Sequence, residues 1–246
     1  MNTSRVRTTS IVVVVLLLLA FRYAPAIGAL LYMKWEFRNA SELWVVPTPL
    51  PDLSIDRSPG KRFSYLGYEF ESPWTEVKLE RKFESLALVH FSDGQIISIS
   101  DGADELKAMK QASRNGGTDL KNVFGDQPMS SNYALRSKIL YLTPRDLRLF
   151  STPREMVANS VLLNLKGIWT TTAKSGLYSF QTDWVRGFQE GSPTLNNLVT
   201  IAAFDAQDRE VMLYIGAEPR AANRPSQAAI NRILYSLRPA ASSPTK

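Results

Sequence analysis

The chain has 246 residues and a formal net charge of +6, with 29 Lys and Arg residues against 23 Asp and Glu residues. The first 45 residues hold five of the basic and two of the acidic side chains, so the remainder is nearly balanced, and the lack of a Lys/Arg block argues against a nucleic-acid-binding protein. The absence of cysteine excludes disulfides, thiolate metal sites, cysteine nucleophiles and cysteine-linked lipid anchors.

The N-terminus has the composition of a membrane-targeting segment. Residues 1–10 are predicted to form a cytoplasmic tail, and residues 11–33 are apolar apart from Arg22 and are predicted to form a transmembrane anchor. A helix of this length extends about 35 Å, enough to cross the hydrocarbon core of a bilayer. The alternative is a signal peptide cleaved near Ala26, in an Ala-x-Ala pattern. We favour the anchor, because cleavage would leave an exposed apolar terminus, and both alternatives place the following domain outside the cytoplasm.

The remainder divides by composition into three parts. Residues 34–61 contain four prolines and are predicted to form a stiff, extended stalk. Residues 62–238 carry the periodic apolar patterns of one folded domain. Residues 239–246 are small, polar and proline-containing, which predicts a disordered tail.

Turn and aromatic patterns predict the elements of the first half of the domain. Aromatic side chains recur from Phe63 to Phe70, which indicates one strand or a bent pair of strands ending at Ser72-Pro73-Trp74. Asp93-Gly94 lies between two apolar runs and predicts a β-hairpin. Helices are predicted over residues 101–112 and 131–142.

The second half contains two helices on either side of a group of strands. Thr152 followed by Pro153 predicts the start of a helix that ends at Gly167. Its predicted apolar face comprises Met156, Val157, Val161, Leu162 and Leu165. Four strand-like runs follow at residues 176–182, 184–190, 198–205 and 210–216, with connections short enough to require an antiparallel meander. A closing helix from Ser226 presents an apolar stripe of Ile230, Ile233, Leu234 and Leu237.

Strands and helices are therefore segregated along the chain, which predicts an α+β fold with a twisted antiparallel sheet covered by helices. The aromatic opening with its Ser-Pro-Trp corner, the hairpin, the inserted helices, the late meander and the final SQAAINRILYSL helix resemble the PsbP-like superfamily of small extracytoplasmic α/β domains. The resemblance covers residues 62–238 and lies in the layout. It implies a PsbP-like sandwich that serves as a binding or assembly accessory, and it transfers no functional residue.

No pattern in the sequence indicates catalytic or metal-binding chemistry. His90 is the only histidine, so a site built from several histidines is excluded, and its position near a strand end favours a half-buried structural role. No nucleophile elbow, His-Glu-x-x-His motif or phosphate-binding loop is present. We therefore expect no catalytic activity, no cofactor and no metal.

Two groups of residues suggest binding surfaces. Trp184, Arg186 and Phe188 alternate onto one face of a predicted strand, where they would form an aromatic platform with a cation for an aromatic, sugar or peptide ligand. The alternative is that the helix beginning at Pro153 covers this face. The second group, suited to anionic lipid headgroups, comprises Arg136, Lys138, Arg145 and Arg148.

Together these patterns predict a membrane-tethered binding or assembly module of a bacterial envelope, placed on the extracytoplasmic side and in contact with the membrane and with another envelope protein. Two alternatives remain open. One is a secreted solute-binding domain released by cleavage near Ala26, and the other is a hydrolase whose carboxylates are dispersed along the sequence.

Overall fold

The structure is a computed structural model that describes residues 34–51, 53–102, 129–147, 153–170 and 176–240, together with positions 28, 31, 32, 107, 111 and 125. The predicted cytoplasmic tail, Arg22 and nearly all of the predicted anchor lie outside the described residues, as do most of the predicted helix at 101–112 and the tail from residue 241 onward. No helix in the described part of the chain is both long enough and apolar enough to cross a membrane.

Strands and helices are numbered in chain order. The strands are β1 (Thr48–Pro49), β2 (Lys61–Tyr65), β3 (Tyr68–Ser72), β4 (Val77–Lys82), β5 (Leu86–Phe91), β6 (Gln95–Asp101), β7 (Leu177–Gln181), β8 (Val185–Glu190), β9 (Leu198–Asp205), β10 (Glu210–Ala217) and β11 (Arg238–Pro239). The α-helices are α1 (Asn132–Tyr141), α2 (Pro153–Trp169) and α3 (Gln227–Ser236), and the 3-10 turns are Ser41–Trp44 and Pro144–Asp146. Residues 34–38 are also helical.

The strands form two sheets. The larger has the order β1-β7-β8-β9-β10-β6-β5-β4, and the smaller has the order β11-β3-β2. The α+β prediction and the antiparallel meander β7 to β10 are confirmed. The large sheet is mixed rather than purely antiparallel, because β1 from the proline-rich segment pairs in parallel with β7. Pro49 is tolerated there since β1 is an edge strand, where a missing N–H leaves no inner ladder bond unmade.

Local sequence signals account for the turns and helix starts. Gly94 has φ +85° at the tip of the β5–β6 hairpin, a conformation open to glycine, which confirms the hairpin predicted at Asp93-Gly94. Ser131 and Ser226 cap α1 and α3, because each side-chain oxygen accepts a hydrogen bond from the backbone N–H three residues later.

The main core fills the space between one face of the large sheet, α3 and the small sheet. Its members include the whole predicted stripe of α3, which is fully buried, and the aromatic side chains of β2 and β3. Two smaller clusters lie around the other helices. One joins α1 and α2 to the N-terminal segment, and the other packs α1 against the opposite face of β7, β8 and β9.

Helix α2 differs from its prediction in length and in orientation. It continues through Gly167 to Trp169, and Val161 is 48% exposed although it was assigned to the apolar face. Leu162 is buried as predicted, and Leu163, which was not assigned to the apolar face, is buried as well. The side of α2 that carries these leucines faces inward, because α1 and the N-terminal segment pack against it. The apolar pattern of α2 alone does not show where these partners lie.

The segment 34–61 differs from the extended stalk that its prolines predicted. Phe37 and Leu43 belong to the cluster around α1 and α2, and Leu50 belongs to the main core. Farther along, the carbonyl of Ser54 accepts a hydrogen bond at 2.8 Å from the side chain of Asn231 on α3. The prolines prevent regular hydrogen bonding but leave the apolar side chains between them free to pack, so this segment follows the surface of the domain.

Candidate functional site

The three residues predicted to contact a ligand do not share one exposed face. Trp184 lies in the β7–β8 turn and is 53% exposed, and Arg186 on β8 is also exposed. Phe188 is only 3% exposed and belongs to the cluster beneath α1. The prediction is thus wrong for Phe188, which is a core residue. The covering helix is α1 and not the one that begins at Pro153.

Arg186, Tyr133 and Phe188 form a three-layered stack. The Arg186 guanidinium lies 4.0 Å from the centre of the Tyr133 ring, and that ring lies 5.6 Å from the Phe188 ring at an interplanar angle of 12°. A cation over an aromatic face is attracted by the negative charge of the ring face. The stack therefore holds the long Arg186 side chain in one orientation while leaving its outer side open to solvent.

The turn between β9 and β10 positions Tyr133. The carboxylate of Asp208 accepts hydrogen bonds from the backbone N–H groups of Asn132 and Tyr133, in addition to the bond that Ser131 makes at the same helix end. Asp208 has φ +62°, an uncommon conformation that Asp adopts more readily than most residues. The turn thereby fixes the start of α1 beside β8.

Trp184 and Arg186 line an open pocket of about 330 Å³ at this end of the large sheet. The remaining lining residues are Gln181, Thr182, Asp183, Val185, Phe204, Asp205 and Ala206. The pocket combines an exposed indole with a guanidinium, an amide and a carboxylate, which can bind a planar or sugar-like ligand by stacking and hydrogen bonding.

Asp205 is buried in the floor of this pocket and is fully engaged. Its Oδ2 accepts hydrogen bonds from the Tyr68 hydroxyl at 3.0 Å and from Arg209 Nε at 2.8 Å, and its Oδ1 accepts from the backbone N–H groups of Gln207 and Arg209. Burial, followed by the neighbouring Asp205 charge, raises the pKa of Tyr68 above its ordinary value, so the hydroxyl stays a donor. This carboxylate stabilises the turn and offers no free oxygen for general-base chemistry.

The four residues predicted to contact lipid do not act as one surface. Arg136 is buried: its guanidinium lies 4.2 Å from the Trp169 ring centre and 3.6 Å from Glu210. That prediction is wrong for Arg136, because α2 and β10 cover it. Lys138 and Arg145 are exposed. Arg148 lies outside the described residues.

His90 occupies the half-buried position near the end of β5 that its pattern predicted. Its Nδ1 lies 3.2 Å from the carboxylate of Glu218. Among the residues that the structure describes, no three His, Asp or Glu side chains are grouped closely enough to hold a metal ion.

Lys166 is a buried cation that the sequence did not single out. It is fully buried in α2, and its ammonium donates hydrogen bonds to the carbonyls of Leu43, Val45 and Leu142 at 3.2, 2.7 and 2.7 Å. One cation thus joins α2 to the N-terminal segment and to the end of α1. Burial lowers the pKa of the Lys166 ammonium to about 8, against a smaller opposing effect of Asp146.

The lowered pKa of Lys166 predicts a pH dependence of stability. Between pH 8 and the ordinary value of 10.5, the unfolded chain holds a proton that the folded chain has released. The free energy of unfolding should therefore rise with pH in this window, by up to about 1.4 kcal/mol per pH unit. In urea unfolding, the free energy of unfolding of the wild type relative to that of the Lys166→Met variant should increase from about pH 8 to about pH 10. The measurement stops there because tyrosines begin to titrate in the unfolded state. A difference that stays constant over this range would contradict the assignment.

Sequence reasoning identified Trp184 and Arg186 but missed Tyr133, Asp205 and Asp208. The polar AQDR turn carried a partial signal, because Asp residues favour turns and can cap a helix, but nothing local indicates which helix it reaches. Comparisons of the chain with family models, with curated proteins and with solved structures gave no match.

Proposed function

We propose that this chain is a membrane-tethered binding or assembly module that acts on the extracytoplasmic side of a bacterial envelope, without catalysis. The apolar segment at residues 11–33 supports the tether, and the PsbP-like resemblance of the sequence layout favours a binding or assembly role. The binding site of the proposal is the pocket beside Trp184 and Arg186.

The observation that carries the binding proposal is the preorganised Arg186. Its guanidinium rests on Tyr133, which in turn rests on buried Phe188, so binding would cost little side-chain entropy. The neighbouring Trp184 is 53% exposed and offers a ligand a large aromatic surface on which to stack. A ligand with a planar or sugar ring and an anionic group fits these two side chains best.

The binding proposal predicts a specific loss when Trp184 is removed. Two probes, an N-acetylated oligosaccharide with a carboxylate and a short acidic peptide with an aromatic residue, would be titrated into the full chain in non-ionic detergent by calorimetry. We expect at least one to bind and Trp184→Ala to weaken it about tenfold or more, because exposed aromatic anchors dominate such sites.

Phe83 provides a matched control for Trp184. It is an aromatic residue of similar exposure, 57% against 53%, and lies in the β4–β5 turn outside the pocket. Phe83→Ala should leave the affinity unchanged. The binding site is misassigned if neither probe binds, or if the two alanine variants weaken binding equally.

A further inference from the structure

The path of the chain from the predicted anchor into the domain leaves little room for a flexible linker. Phe37 is already buried in the cluster around α1 and α2, and residues 34–38 are helical. The four positions from residue 33 to Phe37 correspond to about 6 Å of helix. If residues 11–33 cross the bilayer, the domain begins directly at its surface.

The residues around this entry point have the chemistry of a membrane interface. Tyr32 and Trp35 are 60% and 67% exposed, and their ring centres lie 6.3 Å apart. Trp44 is also exposed, and the guanidinium of exposed Arg145 lies 5.7 Å from its ring centre. Aromatic side chains favour the headgroup layer, and a neighbouring cation is attracted to anionic lipid.

Trp44 is held rigidly in this place. The carbonyls of Leu43 and Val45, on either side of it, both accept hydrogen bonds from the buried ammonium of Lys166. The backbone at Trp44 is thereby fixed to α2. Its ring is presented by the folded domain and not by a loose linker.

We propose that the domain sits directly on the membrane through a seating surface made of Trp35, Trp44 and Arg145, whose partner is the anionic headgroup layer of the bilayer. This inference rests on the proposed tether. It gives the domain a fixed orientation on the membrane in place of the predicted stalk. The lipid-contacting residues become Trp35, Trp44 and Arg145, since Arg136 of the predicted group is buried.

The seating surface also determines where the binding pocket points. Because β1 runs parallel to β7, the residues that precede Thr48 lie toward the start of β7, whereas the pocket begins at Gln181 at its end. The five residues of β7 extend about 17 Å. The pocket therefore faces away from the seated end, toward ligands in the extracytoplasmic space.

The lack of cysteine permits a direct test with single labels in the full chain. Ser41→Cys places an exposed label beside the seating surface, and Ala206→Cys places one at the pocket. Each variant would carry a fluorophore and be reconstituted into vesicles of phosphatidylcholine and anionic phosphatidylglycerol that contain a nitroxide-headgroup lipid. Because position 41 precedes β1 toward the start of β7 and position 206 lies at the pocket at its other end, we expect quenching at least about threefold stronger at position 41 than at position 206.

The outcomes separate the inference from the proposed function. Equal quenching of the two labels in a chain that stays with the vesicles would overturn the seating and leave the tether and the pocket intact. A chain that washes off the vesicles would overturn the tether and the seating together. The double variant Trp44→Ser, Arg145→Gln should lower the quenching at position 41 while the chain stays bound, and unchanged quenching would overturn the role of this surface.

Discussion

Replacing Gly187 with alanine is expected to lower the free energy of unfolding by about 4 kcal/mol or more, because the added methyl group has no space in the sheet. Gly187 lies on β8 opposite Ala203 of β9. A Cβ atom built on it would lie 1.9 Å from the backbone oxygen of Ala202 and 3.0 Å from the Ala203 Cα. Backbone atoms cannot move aside as a side chain could, so the β8–β9 pairing would have to open.

Gly167 provides a matched control with the opposite expected sign. It lies within α2, where an added Cβ would meet only a Leu43 methyl group at 3.5 Å, an ordinary contact. Gly167→Ala should therefore stabilise the protein by about 0.5–1 kcal/mol, the usual gain in a helix interior. Both variants would be compared with wild type by guanidinium unfolding of the full chain in mild detergent. If Gly187→Ala yields no folded protein while Gly167→Ala does, the expectation is met, whereas equal stabilities would contradict it.

Elements with local signals could be predicted from the sequence. The Asp93-Gly94 hairpin, the meander, the start of α3 at Ser226 and the apolar stripe of α3 were all identified correctly. Each of these depends on residues close together in the chain, such as a glycine at a positive φ or an apolar period of 3.6 residues.

Strand β4 has a sequence that does not indicate a strand. Its sequence VKLERK alternates too little and carries too much charge to indicate a strand, and it was not predicted. It is an edge strand with almost every side chain exposed. Charged residues on an edge strand hinder its pairing with other chains. The high charge that kept β4 from being predicted therefore suits its position at the edge of the sheet.

The candidate site was only partly predictable, because burial there is decided by residues far apart in the chain. Phe188 alternates with Arg186 as an exposed platform would, yet Tyr133 of α1 covers it. Arg136 has the sequence context of a surface cation, but Trp169 and Glu210 enclose it. A single sequence shows which residues face the same side of an element, and it does not show what packs there.

The buried ammonium of Lys166 leads to a second large effect on stability. Lys166→Met keeps most of the side-chain volume but leaves three carbonyls without their donor, at about 1–3 kcal/mol each. Removing the buried charge recovers about 3 kcal/mol, the equivalent of the lowering of its pKa from 10.5 to about 8. At about 2 kcal/mol for each carbonyl, the two terms leave an expected net loss of about 3 kcal/mol near neutral pH.

Lys138→Met, on the exposed side of α1, is the matched control and should change the free energy of unfolding by less than about 0.5 kcal/mol. Guanidinium unfolding of both variants separates a lost internal donor from a lost surface charge. Because Lys166 fixes Leu43 and Val45, its variant should also loosen the backbone around Trp44 and speed amide hydrogen exchange there more than in α3. If exchange stayed unchanged around Trp44, or if both methionine variants were equally stable, Lys166 would not be the residue that fixes the N-terminal segment to the domain.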